Sequence, residues 1–151
     1  GGRSGLTVLL PRCFAFVGPY LDLDVHFAIG NFIRDCLENR PIVIQGDGTP
    51  LRSYLYASDL VEWLLTILLR GAHGRPYNVG SDKAISIFDL AQLVRQCAGT
   101  HNPVTILKAP VPGGIPHRYV PSVDRAFSEL GLRERCPLNR SIERTLAAHR
   151  S

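Results

Sequence analysis

Two arginines beside glycine-rich loops are the side chains best suited to hold an anionic ligand. Arg52 follows the segment Gly46–Pro50 and begins an apolar run, and Arg118 follows a loop rich in proline and glycine over residues 110–116. A guanidinium group is a planar fork that binds phosphate or carboxylate through two hydrogen bonds. From residue type and spacing alone, an exposed structural role is the more common one, so both arginines remain hypotheses.

The other groups that ligate metals or act as nucleophiles are scattered along the chain. The four cysteines are at least 23 residues apart, which excludes the close pairs of a structural zinc site. Most lie in or beside apolar segments, where a cysteine is usually a small buried hydrophobe. Asp22 and Asp24 could chelate a cation, but two carboxylates in a loop more often face water. Five histidines lack the mutual spacing of metal ligands and are expected on the surface or in loops: His26, His73, His101, His117 and His149.

The composition is that of one globular domain with a modest positive charge. The 151 residues are 45% hydrophobic and 20% charged, and the formal net charge is +4. No basic run is interleaved with aromatic residues, so a nucleic-acid partner is not expected. The longest apolar run, Leu60–Leu69, is about half the ~20 residues that a membrane crossing needs, so no membrane partner is expected. Sparse cysteines and no visible signal peptide predict a cytoplasmic location.

Apolar periodicity predicts short strands that alternate with helices, which is typical of α/β layers. Five strands are predicted, the first of them buried: Leu6–Leu10, Ile42–Ile44, Leu51–Tyr56, Pro76–Val79 and Val104–Leu107. Five helices are predicted: about 27–38, from Ser58 to about Arg70, from Ser86 onward, Asp124–Leu130 and Ser141–His149. The second helix is apolar nearly all round, which predicts packing on several sides, and Ser58-Asp59 is expected to cap it. Ser86 and Asp89 predict a capping box, and Gly131 is expected to end the fourth helix.

A series of short segments resembles, in order and at similar intervals, the motifs of one family. Arg12–Pro19 resembles its Arg-x-x-Asn-x-Tyr-Gly-Pro motif, and Gly46–Tyr54 resembles its Gly-x-Gly-x-x-x-Arg-Asp-Phe/Tyr motif. Further segments continue the series: Ser58–Leu60, Tyr77–Ser81, Ser86–Leu90, Arg118–Asp124 and Glu129–Leu132. Over roughly residues 6–132 the chain therefore resembles the extended short-chain dehydrogenases/reductases, which are NAD-dependent nucleotide-sugar epimerases and dehydratases.

The resemblance implies that residues 1–151 are one C-terminal, substrate-binding region of a longer enzyme, the C-terminal part of a Rossmann-like α/β fold. The N-terminal part of that family carries a Gly-rich loop that holds the NAD diphosphate, and a Tyr-x-x-x-Lys pair that moves the proton. No tyrosine of this sequence has a lysine four residues on, so this chain alone is expected to be inactive. The Gly1-Gly2 start and the lack of methionine fit a piece of a longer protein, or a removed start residue.

The reaction implied by the resemblance is that of an epimerase or 4,6-dehydratase, in which NAD transiently oxidises a nucleoside-diphosphate sugar at C4. The whole enzyme is expected to be a homodimer. This chain would hold the nucleotide and so place the sugar, which is catalysis by positioning. The alternative is a non-catalytic nucleotide-binding module without redox chemistry. Ala15 and Val17 favour that alternative because they replace the Asn and Tyr of the family motif, while Ser53 replaces its Asp.

The resemblance also implies the site residues. Five match substrate-binding positions, three near the diphosphate and two in the loop beside the nucleotide base: Arg52, Arg118, Asn78, Phe27 and Ala28. Cys13 and Phe14 match the stretch beside the nicotinamide of NAD. Each match has a structural alternative: an exposed arginine, a turn residue, helix packing, or a core pair at a strand end.

Overall fold

Helices and short strands alternate along the chain. The computed structural model describes residues 5–25 and 27–150. Within these ranges the helices are α1 (Ala28–Leu37), α2 (Ala57–Arg70), α3 (Ile87–Ala98), α4 (Asp124–Leu130) and α5 (Leu138–Arg150). The strands are β1 (Leu10–Cys13), β2 (Phe16–Val17), β3 (Ile42–Ile44), β4 (Leu51–Arg52), β5 (Leu55–Tyr56), β6 (Pro76–Val79), β7 (Ile85–Ser86), β8 (Val104–Ile106) and β9 (Arg118–Tyr119).

Most strand pairs are parallel, so their strands need long connections, for which helices are the usual solution. β1 pairs with β6, β2 with β5, and β3 with β8, all in parallel. β4 lies between β7, which is antiparallel to it, and β9, which is parallel. α2 lies in the crossover that leads from β1 to β6. The predicted α/β class is confirmed.

The first hydrophobic core lies among α1, α3, α5 and β3, which we call the three-helix core. Ile33 of α1, Leu90 of α3 and Ile142 of α5 are completely buried. The N-cap part of the predicted capping box is confirmed, because Ser86 Oγ accepts the backbone N–H of Asp89 at 3.0 Å where α3 begins. The Asp89 carboxylate accepts from the Ser86 hydroxyl at 2.6 Å. One face of α5, with Ile142 and Leu146, also belongs to this core.

The second core lies where α2 and α4 pack on β6. Trp63 and Ile67 of α2 are buried against Tyr77 of β6. We call β1, α2 and β6 the open βαβ unit, because the opposite face of α2 carries four apolar side chains that are 53–80% exposed: Val61, Leu65, Leu68 and Leu69. Among the described residues this helix therefore packs on one face, which differs from the predicted packing on several sides. None of the described helices is both long and apolar enough to span a bilayer.

Three further sequence predictions are corrected by long-range contacts. β1 begins at Leu10 instead of Leu6. It is exposed instead of buried, because β6 is the only strand that pairs with it among the described residues. The predicted strand Leu51–Tyr56 is two strands, β4 and β5, which join different sheets. Asp59 does not cap α2. Its Oδ2 instead accepts the backbone N–H groups of Arg135 and Cys136 at 2.9 and 3.0 Å, far along the chain.

Candidate functional site

A cleft with a volume of about 820 Å³ lies beside α1, β3 and β4. A pocket of this size is in the range that holds a nucleotide-sized ligand. Ala28 and Asn31 of α1 line it, together with Gln45 after β3 and Arg52 of β4. The cleft thus combines apolar and charged side chains of α1 with two amides and the guanidinium group of Arg52.

Arg52 is held by one of its three guanidinium nitrogens. Nη1 donates to the carbonyl of Leu51 at 2.9 Å and lies 3.2 Å from Nδ1 and 3.4 Å from the carbonyl oxygen of His117. Nε and Nη2 have no hydrogen-bond partner among the described residues. The Nε–Nη2 edge is the one that two phosphate oxygens bind side by side.

The loop before Arg52 is rigidly built. Asp47 accepts hydrogen bonds from the backbone N–H and the hydroxyl of Thr49 at 3.0 and 2.9 Å, and these bonds lower the pKa of its carboxyl below the ordinary value. Gly48 has a φ of 78°, and a Cβ there would lie 3.1 Å from Cβ of Phe88, so a side chain would be strained in conformation and tight against Phe88. Glycine at position 48 therefore suits the backbone of the loop that leads into β4.

The structure brings two of the predicted substrate-binding residues together. Ala28 and Arg52 line the same cleft, whereas Phe27 precedes α1 and is 54% exposed. Arg118 is exposed and in register with Leu51 in the β4–β9 pair. Because side chains alternate along a strand, Arg118 projects from the opposite face to Arg52.

The remaining predicted residues lie at other places. Asn78 donates from Nδ2 to the carbonyl of Ser122 at 2.8 Å and lines a separate cavity of about 250 Å³. Cys13 and Phe14 stand where β1 ends, and the Phe14 ring lies against Tyr119 with ring centroids 5.0 Å apart. Cys13 is exposed, which corrects the expectation of a buried cysteine at this position.

The sequence predictions missed a polar stripe on α1 and a histidine behind Arg52. The stripe lines the cleft and consists of residues spaced three or four apart: Asn31, Asp35 and Glu38. Helical periodicity would have found it, since such residues share a face. Arg34 joins the cleft wall through an ion pair with Asp24 at 3.0 Å, and this hydrogen bond raises its pKa. His26 lies outside the described residues.

The carboxylates of Asp22 and Asp24 accept hydrogen bonds from groups of the protein itself. Asp22 accepts the backbone N–H of Asp24, and Asp24 holds Arg34. The described residues contain no group of three or more His, Cys, Asp and Glu side chains able to hold a metal ion.

Comparison with known proteins decides the family. Residues 2–80 match the sequence model of the NAD-dependent epimerase/dehydratase family. The chain belongs to this family. The family is NAD-dependent by its description, and the predicted Rossmann-like fold of the extended short-chain dehydrogenases/reductases is confirmed.

Relatives in this epimerase/dehydratase family are longer than the chain. UDP-glucuronic acid decarboxylase 1 of Arabidopsis thaliana is 28% identical over 148 residues, which cover 98% of this chain and 33% of that protein. The UDP-glucose 4-epimerase of Thermotoga maritima, solved with UDP-glucose, superposes with a TM-score of 0.85 at 22% identity, over 97% of this chain and 47% of that one. The UDP-glucuronic acid 4-epimerase of Bacillus cereus, solved with UDP-glucuronic acid and NAD, gives 0.81 at 23% identity, over 96% and 46%. The chain thus spans about a third of the length of the Arabidopsis thaliana decarboxylase and under half of each of the two solved structures.

Proposed function

We propose that this chain is the substrate-binding part of an NAD-dependent nucleotide-sugar epimerase or 4,6-dehydratase, and that it positions a nucleoside-diphosphate sugar for transient oxidation at C4. The observation that carries the proposal is the free Nε–Nη2 edge of Arg52 on a cleft of about 820 Å³. The relatives whose names mention UDP-sugars make uridine diphosphate the first ligand to test.

In this proposal the cleft contacts the nucleotide at two places, the diphosphate and the base. Arg52 binds the diphosphate through two parallel hydrogen bonds, which are short and charge-assisted. Ala28 offers an apolar contact to the base, while the amides of Asn31 and Gln45 can donate to and accept from base edges. Holding the diphosphate fixes the sugar relative to the reacting atoms, so the chain contributes by orientation.

NAD supplies the hydride acceptor and donor when it is bound in the whole enzyme. The part of this chain that fits it is the carboxyl end of β1, since open parallel sheets bind ligands beyond that end of their strands. Cys13 is exposed there, and Phe14 presents a ring against Tyr119. In this proposal Cys13 and Phe14 contact NAD through their side chains, while its diphosphate is bound by the Gly-rich loop of the N-terminal part.

The open βαβ unit supports the proposal that residues 1–151 are one region of a longer enzyme. β1 has one strand partner among the described residues, and the outer face of α2 exposes Leu65, Leu68 and Leu69. A parallel sheet is normally covered on both faces and continued by further strands. The N-terminal, NAD-binding part supplies that cover in this proposal, and the whole enzyme is a cytoplasmic homodimer.

The alternative, a non-catalytic nucleotide-binding module, loses part of its support. Val17 is 1% exposed and belongs to the three-helix core, so its difference from the family tyrosine changes packing inside the protein. Ala15 is half-buried and packs beside the same core. Turnover of a UDP-sugar by the full-length native protein would exclude the alternative.

The proposal is tested by titrating the chain with UDP in a calorimeter. Arg52→Ala should weaken binding by about 2–5 kcal/mol, the range found when one partner of a desolvated charge pair is removed. Arg70→Ala is the matched control, because it removes the same charge from the exposed end of α2. Equal affinities of the two variants, or no UDP binding by the unmodified chain, would contradict the proposed site.

A further inference from the structure

We propose that His117 is a positioning residue that orients Arg52 for the diphosphate. The inference rests on the proposed function, since it assigns a second residue to the same site. His117 does not line the nucleotide cleft. It lines a neighbouring cavity of about 400 Å³ with Asp47 and Pro116, and it reaches Arg52 from that side.

The hydrogen bond between the two side chains has a fixed direction. A guanidinium group has donors and no acceptor, so Nδ1 of His117 must accept the bond from Nη1 of Arg52 at 3.2 Å. The neutral imidazole then carries its proton on Nε2. A fully protonated ring has no acceptor and cannot make this contact.

The backbone brings His117 to this place. The N–H of Leu51 donates to the carbonyl of His117 at 2.8 Å, and β4 then pairs with β9 in parallel. The same carbonyl oxygen lies 3.4 Å from Nη1 of Arg52. His117 therefore meets Nη1 with both its ring and its backbone.

The consequence is a guanidinium group that is oriented before ligand arrives. Because Nη1 is held by Leu51 and His117, the Nε–Nη2 edge of Arg52 is left to bind two phosphate oxygens. Without the imidazole, the side chain samples more rotamers, and ordering it on binding costs affinity. We expect removal of the ring acceptor to weaken UDP binding about three- to tenfold.

Two variants of the 151-residue chain separate the acceptor from the ring. His117→Leu removes the acceptor, whereas His117→Asn keeps an acceptor oxygen at nearly the position of Nδ1. UDP affinity should fall in His117→Leu and return to within about twofold in His117→Asn, since the single hydrogen bond is then restored. In an Arg52→Ala background the His117→Leu change should have no further effect, because the coupled partner is gone.

A second measurement does not depend on the ligand. The heteronuclear NOE of the Arg52 Nε–H group should show an ordered side chain in the unmodified chain and in His117→Asn, and a mobile one in His117→Leu. If Arg52 is equally ordered in all three, or if His117→Leu binds UDP as well as the unmodified chain, His117 does not position Arg52. If Arg52→Ala leaves UDP affinity unchanged while the NOE pattern holds, the proposed function fails and the positioning contact remains.

Discussion

The three-helix core and the open βαβ unit bury the apolar residues of their helices to very different extents. α1 has 10 residues, of which five are buried, among them Ile29, Phe32 and Ile33. α2 has 14 residues and a higher mean hydropathy, yet Asp59, Trp63 and Ile67 are its buried members. An apolar sequence therefore indicates which helix faces can be buried, but the neighbouring elements determine which of those faces are buried in the fold.

The contrast in burial is largest between two helical leucines, Leu90 of α3 and Leu68 of α2. Leu90→Ala in α3 should lower the free energy of unfolding by about 2–5 kcal/mol, because it leaves a cavity in the three-helix core. Leu68→Ala in α2 should change it by less than about 0.5 kcal/mol, because this side chain is 65% exposed. Urea denaturation of both variants measures the contrast. Equal losses would show that the outer face of α2 is packed in solution.

The three-helix core also contains a tyrosine whose titration depends on folding. Burial, partly opposed by the charge of Arg52, raises the pKa of Tyr54 from 10.0 to about 12. The folded state holds this proton more tightly, so the stabilisation is complete below about pH 10 and is lost as the pH rises toward 12. At about 1.4 kcal/mol per pKa unit, the loss is about 2–3 kcal/mol.

Tyr54→Phe removes the ionisable hydroxyl, so comparing this variant with the unmodified chain isolates the contribution of Tyr54 to the pH dependence. Between pH 10 and 12 the free energy of unfolding should fall less steeply in Tyr54→Phe than in the unmodified chain, while ionisation of other groups affects both proteins alike. The measurement is urea denaturation across that range. Parallel profiles would mean that the hydroxyl of Tyr54 is accessible to water in the folded protein.

A buried carboxylate joins the open βαβ unit to the chain that enters α5. Asp59 is 3% exposed, and its Oδ2 accepts the N–H groups of Arg135 and Cys136. Asp59→Ala should destabilise the protein by about 1–3 kcal/mol, because both donors lose their acceptor. The exposed neighbour Ser58 serves as control, and Ser58→Ala should have little effect on urea denaturation. A loss as small for Asp59→Ala would show that the two regions are joined by other contacts.

The smallest effect is expected on association. The exposed face of α2 predicts that the isolated chain associates with itself as its concentration rises. A double change to lysine, Leu65→Lys with Leu68→Lys, should lower the apparent mass in light scattering toward that of one chain. Gln96→Lys on the exposed surface of α3 adds positive charge elsewhere and should leave association unchanged. A salt-independent monomer for the unmodified chain would contradict the prediction.

Local patterns predicted much of the fold because they depend on residues close in sequence. The periodicity over about 27–38 gave α1 nearly to the residue, and Gly131, with a φ of 70°, ends α4 as expected. Arg52 was found from its glycine loop and from the family motif. The split of 51–56 into two strands was missed, because alternation carries no information about which sheet each half joins.

Local sequence patterns were enough to predict most helices and strands in order, to find the family motifs and to single out Arg52 as a candidate phosphate ligand. These depend on backbone propensity and on spacing within one element. Three features follow from long-range packing alone: His117, 65 residues away, contacts Arg52; Arg118 projects from the opposite face; and α2 is exposed on one side. Contacts across such separations depend on register and on packing between elements, and no periodicity within one segment records them.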